Sequence, residues 1–384
     1  MRAIPPLAIT ELGLTSTTAP EPGLGEAVWL VGTTYAKGDK AILGTLTSTV
    51  TISIASPGVV TWASNGLPNG TPVYLTTTGA LPTGLVVNTV YFVVNRAAGS
   101  FQLSATPGGA AIVTTGSQSG THTANAALHR VYESLANSNT GNPPAIDDGT
   151  KWLDIGPTNR WAMFDLLRNT ATAQASPLTV VLTPGQRVDS IALVGLVADT
   201  VTITVTVSAV EVYSYTTNLS DREVLTWYDY FFKPFSSKSA VALFDLPPYT
   251  NAVVTVTLTR TSGYVYCGGL VLGTSAYIGR TLHDAENSGL NFSEVSRSFD
   301  GAATLIQRRT IPKTTQRVRT TKAAVKSLTD LRSVLNAVPA LWSGLDDTSS
   351  GYFEPLLILG FYRTFTIVMD QPDEALVTLE LEEI

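Results

Sequence analysis

The stretch Asp199–Val210, "DTVTITVTVSAV", alternates without a break. Val201, Ile203, Val205 and Val207 fall on one side of an extended chain, and Thr202, Thr204 and Thr206 on the other. A period of two is the signature of a strand with one dry and one wet face, and no helix accommodates it. Similar runs recur at short intervals: "LTVVLTP", "SIALVGL", "EVYSYTTNL", "VVTVTLT" and "YVYCGGLVLG". Their spacing between residues 157 and 280 predicts a β-sandwich.

The same grammar extends toward the start of the chain. "AVWLVGTTYAKGDKAILG" (Ala27–Gly44) is read as strand, turn, strand. It is complementary in pattern to "HRVYESLANSNTGNPPAIDDGTKWLDIG" (His129–Gly156). We expect residues 27–44 and 129–156 to form one small, split β module. Residues 45–128, where short runs such as Val73–Leu75, Val90–Val94 and Phe101–Leu103 alternate with Asn-Gly and Pro-Thr-Gly turns, are expected to fold separately as an inserted all-β domain. Residues 1–26, rich in Pro, Thr and Gly, are expected to be an extended arm.

Residues 281–384 differ in kind. "TKAAVKSLTDLRSVLNAV" (Thr321–Val338) places Val325, Leu328, Leu331, Leu335 and Val338 at helical spacing, and Pro339 would stop the helix. It is the single α-helix expected, near the C-terminus, in a chain that is otherwise mainly β. A strand pair turned at Gln371-Pro372-Asp373 follows it, with Val377, Leu379 and Leu381 on one face and Thr378, Glu380 and Glu382 on the other. A cluster "LTWYDYFFKPF" (Leu225–Phe235), apolar on both faces, is expected to be a buried strand or a subunit contact.

Among 384 residues, 14% are charged and the net charge is −6, so no electrostatic case for nucleic acid arises from the whole chain. The one basic cluster, Arg308 to Lys326, has no interleaved aromatics; with the chain's end acidic, an intramolecular or assembly role is expected, in which a neighbouring block or a neighbouring subunit neutralises the charge. No run reaches the ~18 apolar residues of a membrane span. The opening "MRAIPPLAITELGL" has no continuous apolar core of an export signal, which implies synthesis in a cytosol without standard export. The single cysteine, Cys267, is expected to be a small buried hydrophobe.

Catalytic chemistry finds little footing. His122, His129 and His283 stand in no Ser or Cys motif. Asp147, Asp148 and Asp154 flank Trp152, but Asp147-Asp148-Gly149 has the chemistry of a turn. No zinc, calcium or phosphate-loop spacing is present, so neither metal nor cofactor is expected. The stronger signal is aromatic: Trp29, Tyr35, Tyr132 and Trp152 cluster in the split module, either as its core or as a platform for the apolar faces of sugars.

Trp29, Tyr35-Ala-Lys-Gly38-Asp39, Val131-Tyr132, Asn142-Pro143-Pro144 and Trp152 together resemble the chitin- and cellulose-binding modules of family 5/12. The order of these segments, and "GTPVYLTTTGALPTGL" with "GSFQLSATPGGAAI" in the insert, is similar to tail and virion proteins of tailed bacteriophages. "RWAMFD", leading into the sandwich, resembles galactose-binding-like domains. These resemblances imply a non-enzymatic structural protein of the virion tail, at the tip, baseplate or fibre, made in the host cytoplasm. They imply other phage tail proteins as partners, a homo-oligomer (a trimer or ring), and a host-surface glycan contacted through Trp29, Tyr35, Asp39, Tyr132, Asn142 and Trp152. The alternative is a stand-alone carbohydrate-binding or carbohydrate-degrading protein.

Overall fold

The computed structural model describes residues 1–384 except Leu24, residues 221–223, Phe235 and Ser349. The protein is mainly β, with 48% strand and 7% helix. It divides into two compact units, one made of Met1–Ala19 with Ala162–Ile384 and the other of Pro20–Trp161.

In the unit Pro20–Trp161, two 13-residue strands, Lys40–Ile52 and His122–Ser134, pair along most of their length. Val60–Thr61, Ser100–Ser104, Val90–Ala97 and Pro72–Thr77 follow in order across the sheet. Pro72–Thr77 then returns to pair with His122–Ala126, which closes a six-stranded barrel. Alternate side chains fill its interior: Val73, Leu75, Val93, Phe101, Leu103, Ala124 and Ala126 are all buried. Interior packing by alternate residues is what a barrel this small demands.

The expected split module lies at the other ends of the same two strands. Trp152–Pro157 joins His122–Ser134 there, and the two-residue strands Thr34–Tyr35 and Asn139–Thr140 pair beside it. The segment 45–128 therefore does not stand apart from the module. A register shift between Leu43 and Thr45 lets one strand continue out of the small sheet and into the barrel wall.

The other unit is layered. A five-stranded sheet runs in the order Val210–Asn218, Thr200–Val207, Ala252–Thr259, Leu178–Leu182, Leu14–Thr17. Val201, Ile203 and Val205 point from it into a core shared with Ile191, Leu193, Leu270 and Leu272 of a three-stranded sheet. That second sheet is formed by Ala240–Leu243, Ser190–Val194 and Gly269–Gly273. Its opposite face, with Ala192, Val194 and Val271, packs on Ile4, Leu341, Leu357 and Leu359 of an eight-stranded sheet. The strands "SIALV" and "GLVLG" are thus buried at every position. A sheet covered on both faces needs no polar alternation, which is why these runs are continuously apolar.

The far face of the eight-stranded sheet carries Ala3, Trp342, Ile358, Phe365, Val377, Leu379 and Leu381. Leu328, from the 13-residue helical segment near the C-terminus, and Leu335, just past its end, cover it. The helix ends at Val334, four residues earlier than the spacing suggested, and Ala337 takes a positive φ of 57° before Pro339. Strands Leu357–Val368 and Glu374–Glu383 form the expected pair around Gln371-Pro372-Asp373.

Residues 1–26 are not merely an arm: Arg2–Ile4 sits inside the eight-stranded sheet, opposite Leu341–Ser343, and Leu14–Thr17 edges the five-stranded one. The basic run spans the strand Thr310–Thr321, its approach and the start of the helical segment, which holds Lys322 and Lys326. The strand pairs directly with the acidic Glu374–Glu383. Arg309 reaches Glu383 at 2.6 Å, Lys313 reaches Glu380 at 3.6 Å and Arg319 reaches Asp370 at 2.7 Å. The cluster "LTWYDYFFKPF" departs from expectation. Trp227–Phe232 is a short exposed helix, not a buried strand; Phe235 lies outside the described residues. A reciprocal cap dictates it: Thr226 Oγ1 accepts from the Asp229 amide (3.1 Å), and the Asp229 carboxylate accepts from the Thr226 amide (2.9 Å).

Candidate functional site: an aromatic cleft beside the barrel

A cleft in the unit Pro20–Trp161 has a volume of about 750 Å³. That is within the range of small-molecule sites. Three segments build it. Val28 bridges Ile42, and the Trp29 amide donates to the Ile42 carbonyl (3.0 Å), so Trp29 is laid along the strand Lys40–Ile52. Trp62 follows the barrel strand Val60–Thr61, and Asn65 fixes the turn after it. The Asn65 amide donates to the Trp62 and Ala97 carbonyls (3.3 and 3.2 Å), while its oxygen accepts from the Leu67 amide (3.0 Å). Pro143 and Pro144 supply a third wall.

The polar edge is formed by Glu21 and Arg160 with Thr45, Thr47 and Ser64. Glu21 is held tightly. Its carboxylate meets His129 Nδ1 at 2.9 Å, accepts from Thr158 Oγ1 at 2.7 Å and has the Arg160 guanidinium at 3.8 Å. Burial alone would raise its pKa, but the hydrogen bonds from His129 and Thr158 and the charges of His129 and Arg160 keep it below the ordinary carboxylate value. His129 adopts a positive φ of 52° and stacks on Trp161 at 4.4 Å. Its Nε2 and the Trp29 Nε1 are buried without a hydrogen-bond partner.

The residues singled out from the sequence divide. Trp29 is half-buried and lines this cleft. Tyr35, Tyr132 and Trp152 are 6%, 6% and 3% exposed and form the module's core with Ala41 and Leu43. Tyr35 and Trp152 meet edge to face at 5.0 Å. The Tyr35 hydroxyl accepts from the Leu30 amide (2.9 Å), and Trp152 Nε1 donates to the Asn142 carbonyl (2.9 Å). Burial, then the Asp154 charge, pushes the Tyr132 hydroxyl up to about 12. Rings so enclosed cannot serve as open stacking platforms; of the four, Trp29 alone is left for that role.

Asp39 closes the turn after Tyr35 by accepting from the Ala36 amide (2.7 Å). Asn142 Nδ2 donates to Asn139 Oδ1 (2.7 Å). Asp147 accepts from the Gly149, Lys151 and Trp152 amides at 2.9–3.0 Å, so it builds a turn, as its chemistry indicated. A second cleft, about 520 Å³, has the edges of Tyr132 and Trp152 in its wall together with Arg130 and Asp154, which pair at 2.7 Å.

Sequence reasoning missed Trp62, Asn65, Glu21 and Arg160. Only Trp62 carried a local signal, as a lone indole in a Thr- and Val-rich segment. Among the described residues no group of three or more His, Cys, Asp or Glu is placed to hold a metal ion. Among the described residues, no helix is long and apolar enough to cross a membrane. No family model matches the chain, and neither a curated protein nor a solved structure is significantly similar to it.

Proposed function

We propose that this chain is a structural protein of a bacteriophage tail that binds a host-surface glycan without covalent chemistry, at the cleft between Trp29 and Trp62. The observation that carries the reading is the composition of that cleft: the half-buried Trp29 ring and three prolines, Pro22, Pro143 and Pro144, above the buried Trp62, with Glu21 and Arg160 at one edge. Sugars are recognised by a ring face against an aromatic plane and by a few polar groups that fix orientation. The family 5/12 resemblance supports the same ligand class, with Trp29, Pro143 and Pro144 common to the motif and the cleft. The tail assignment rests on the resemblance of the segment order and of the insert to phage tail proteins. A galactose-binding-like character for the sheets that follow Trp161 rests on "RWAMFD" alone.

The carbohydrate-degrading alternative has less support. Glycoside hydrolysis ordinarily uses two carboxylates across the scissile bond. Among the described residues lining the cleft, Glu21 is the one acid, and His129 and Thr158 occupy its oxygens. Weak sugar affinity per site becomes useful when many copies share one particle.

The test is a glycan array and a host-cell pull-down with the intact chain, Trp29→Ala and Arg160→Ala, each variant first shown to be folded. Binding by the wild type that both variants lose is the expected result. A wild type that binds no host surface would sink the attachment role. Mass spectrometry of purified particles that fails to find the chain would sink the tail assignment.

A further inference from the structure

Two elements of the unit containing Ala162–Ile384 stand uncovered. The first is the helix Trp227–Phe232. Its five rings are between 58% and 80% exposed. They lean on one another, Trp227 on Phe231 at 6.3 Å and Tyr228 on Phe232 at 5.1 Å. Only Asp229 interrupts them, and it is committed to the Thr226 cap. At 100° per residue the rings look outward on every side, the pattern of a helix that ends up buried. At ~150–250 Å² per ring, the open area is roughly 700 Å², above the largest apolar patch of a typical monomer and close to one side of a standard interface.

The second element is the hairpin Glu294–Arg297 with Ala303–Ile306, a two-stranded sheet whose residues are all exposed. Its register sets Val295 opposite Leu305, so both lie on one face, and Phe299 at the turn is fully exposed. A hairpin with two strands and nothing against its faces is marginal in water, and its open edges invite pairing.

We propose that the occupant of the aromatic helix is a second copy of this chain, and that the copy presents its Glu294–Ile306 hairpin. The area matches what a stable self-contact needs on one side. A flat surface would cover half of a helix apolar all round, whereas a narrow arm with an apolar face can reach along its flank. The same chain carries both parts, at separate places in its sequence. A contact between two different patches of identical chains is heterologous, and it propagates into a ring or an open row. The inference rests on the reading of the chain as a repeated component of an assembly. The contact itself is tested on purified protein, whereas that reading is tested on particles, so either can fail alone.

The experiment is sedimentation velocity across a concentration series on the full chain and two variants. One carries Trp227→Ser with Phe231→Ser, and the other carries Val295→Ser, Phe299→Ser and Leu305→Ser. Far-ultraviolet circular dichroism checks folding; Trp227→Arg alone probes the same contact should the double variant fail to fold. The wild type is expected to associate, and each variant to sediment as a single chain with self-affinity weakened roughly 100-fold or more. Mixing the variants restores one intact helix and one intact hairpin, so the mixture is expected to form a dimer and nothing larger. A wild type that stays monomeric at high micromolar concentration overturns the proposal. So does a hairpin variant that associates like the wild type, or a mixture that stays monomeric.

Discussion

Replacing Trp152 by alanine empties the centre of the small core formed with Tyr35, Ala41, Leu43 and Tyr132. The indole is 3% exposed, so nearly its whole surface returns to water or faces a void. Burying a side chain of this size and leaving a partly collapsed cavity sets the loss at about 3–5 kcal/mol. Within that sum, the lost edge-to-face contact with Tyr35 contributes ~1 kcal/mol. The Asn142 carbonyl left without its donor contributes a similar amount, ~1 kcal/mol. The damage is not confined to the module, because Leu46 and Leu128 pack against both this core and the barrel core. For a body of this size each kcal/mol moves Tm by ~2–4 °C, so the expected drop from a loss of ~3–5 kcal/mol is roughly 6–20 °C. Trp152→Phe keeps most of the ring and loses the N–H, so it should fall between. Differential scanning calorimetry of the full chain, with hydrogen exchange read on peptides from Lys40–Ile52 and His122–Ser134, measures the effect. A loss below ~1 kcal/mol would refute the assignment of Trp152 to the core. It would return the ring to the role of a surface platform.

Glu21 is a carboxylate whose folded pKa is depressed, so its stabilisation is present above the ordinary carboxylate value and is lost as pH falls through the folded one. The Tm of the unit Pro20–Trp161 should therefore decline as the solution is acidified below the ordinary carboxylate range, and Glu21→Gln should flatten that decline while lowering Tm at neutral pH. Gly360→Ala would drive a Cβ into the Glu382 carbonyl at the pairing of the two last strands. We expect a loss of more than ~3 kcal/mol in urea unfolding, or an insoluble product. Burial pushes the Cys267 thiol up to about 12, so Ellman's reagent should label it only under denaturing conditions.

The parts legible in the sequence were those governed by neighbours along the chain. Val201, Ile203 and Val205 revealed their buried face because a strand's two sides are sampled by alternate residues. The Gln371-Pro372-Asp373 turn and the Leu328–Leu335 stripe were visible for the same reason. Closure of the barrel was not, since the pairing of Val73 with Ala126 leaves no local mark. The aromatic module showed a different limit. Period and spacing say that Tyr35, Tyr132 and Trp152 belong together, but not whether protein or water covers the far side. Glu21 and His129 meet across 108 positions, and no motif could have joined them. In Trp227–Phe232, six residues are too few for helical periodicity to show; Thr226 and Asp229 were the one available clue.

The placement of Arg2–Ile4 opposite Leu341–Ser343 has a consequence for synthesis on the ribosome. The strand emerges 341 residues (343 − 2) before its partner at Ser343 is made. At ~5–20 residues per second, that interval is on the order of half a minute. During it, Pro20–Trp161 can leave the exit tunnel and close its barrel from strands that are all its own. The opening segment meanwhile keeps Ala3 and Ile4 uncovered, both wholly buried in the finished molecule. The Pro and Thr that punctuate "PPLAITELGLTSTTAP" then acquire a second use. They keep a waiting strand short and its surroundings polar, which discourages premature pairing with other nascent chains until Leu341–Ser343 arrives.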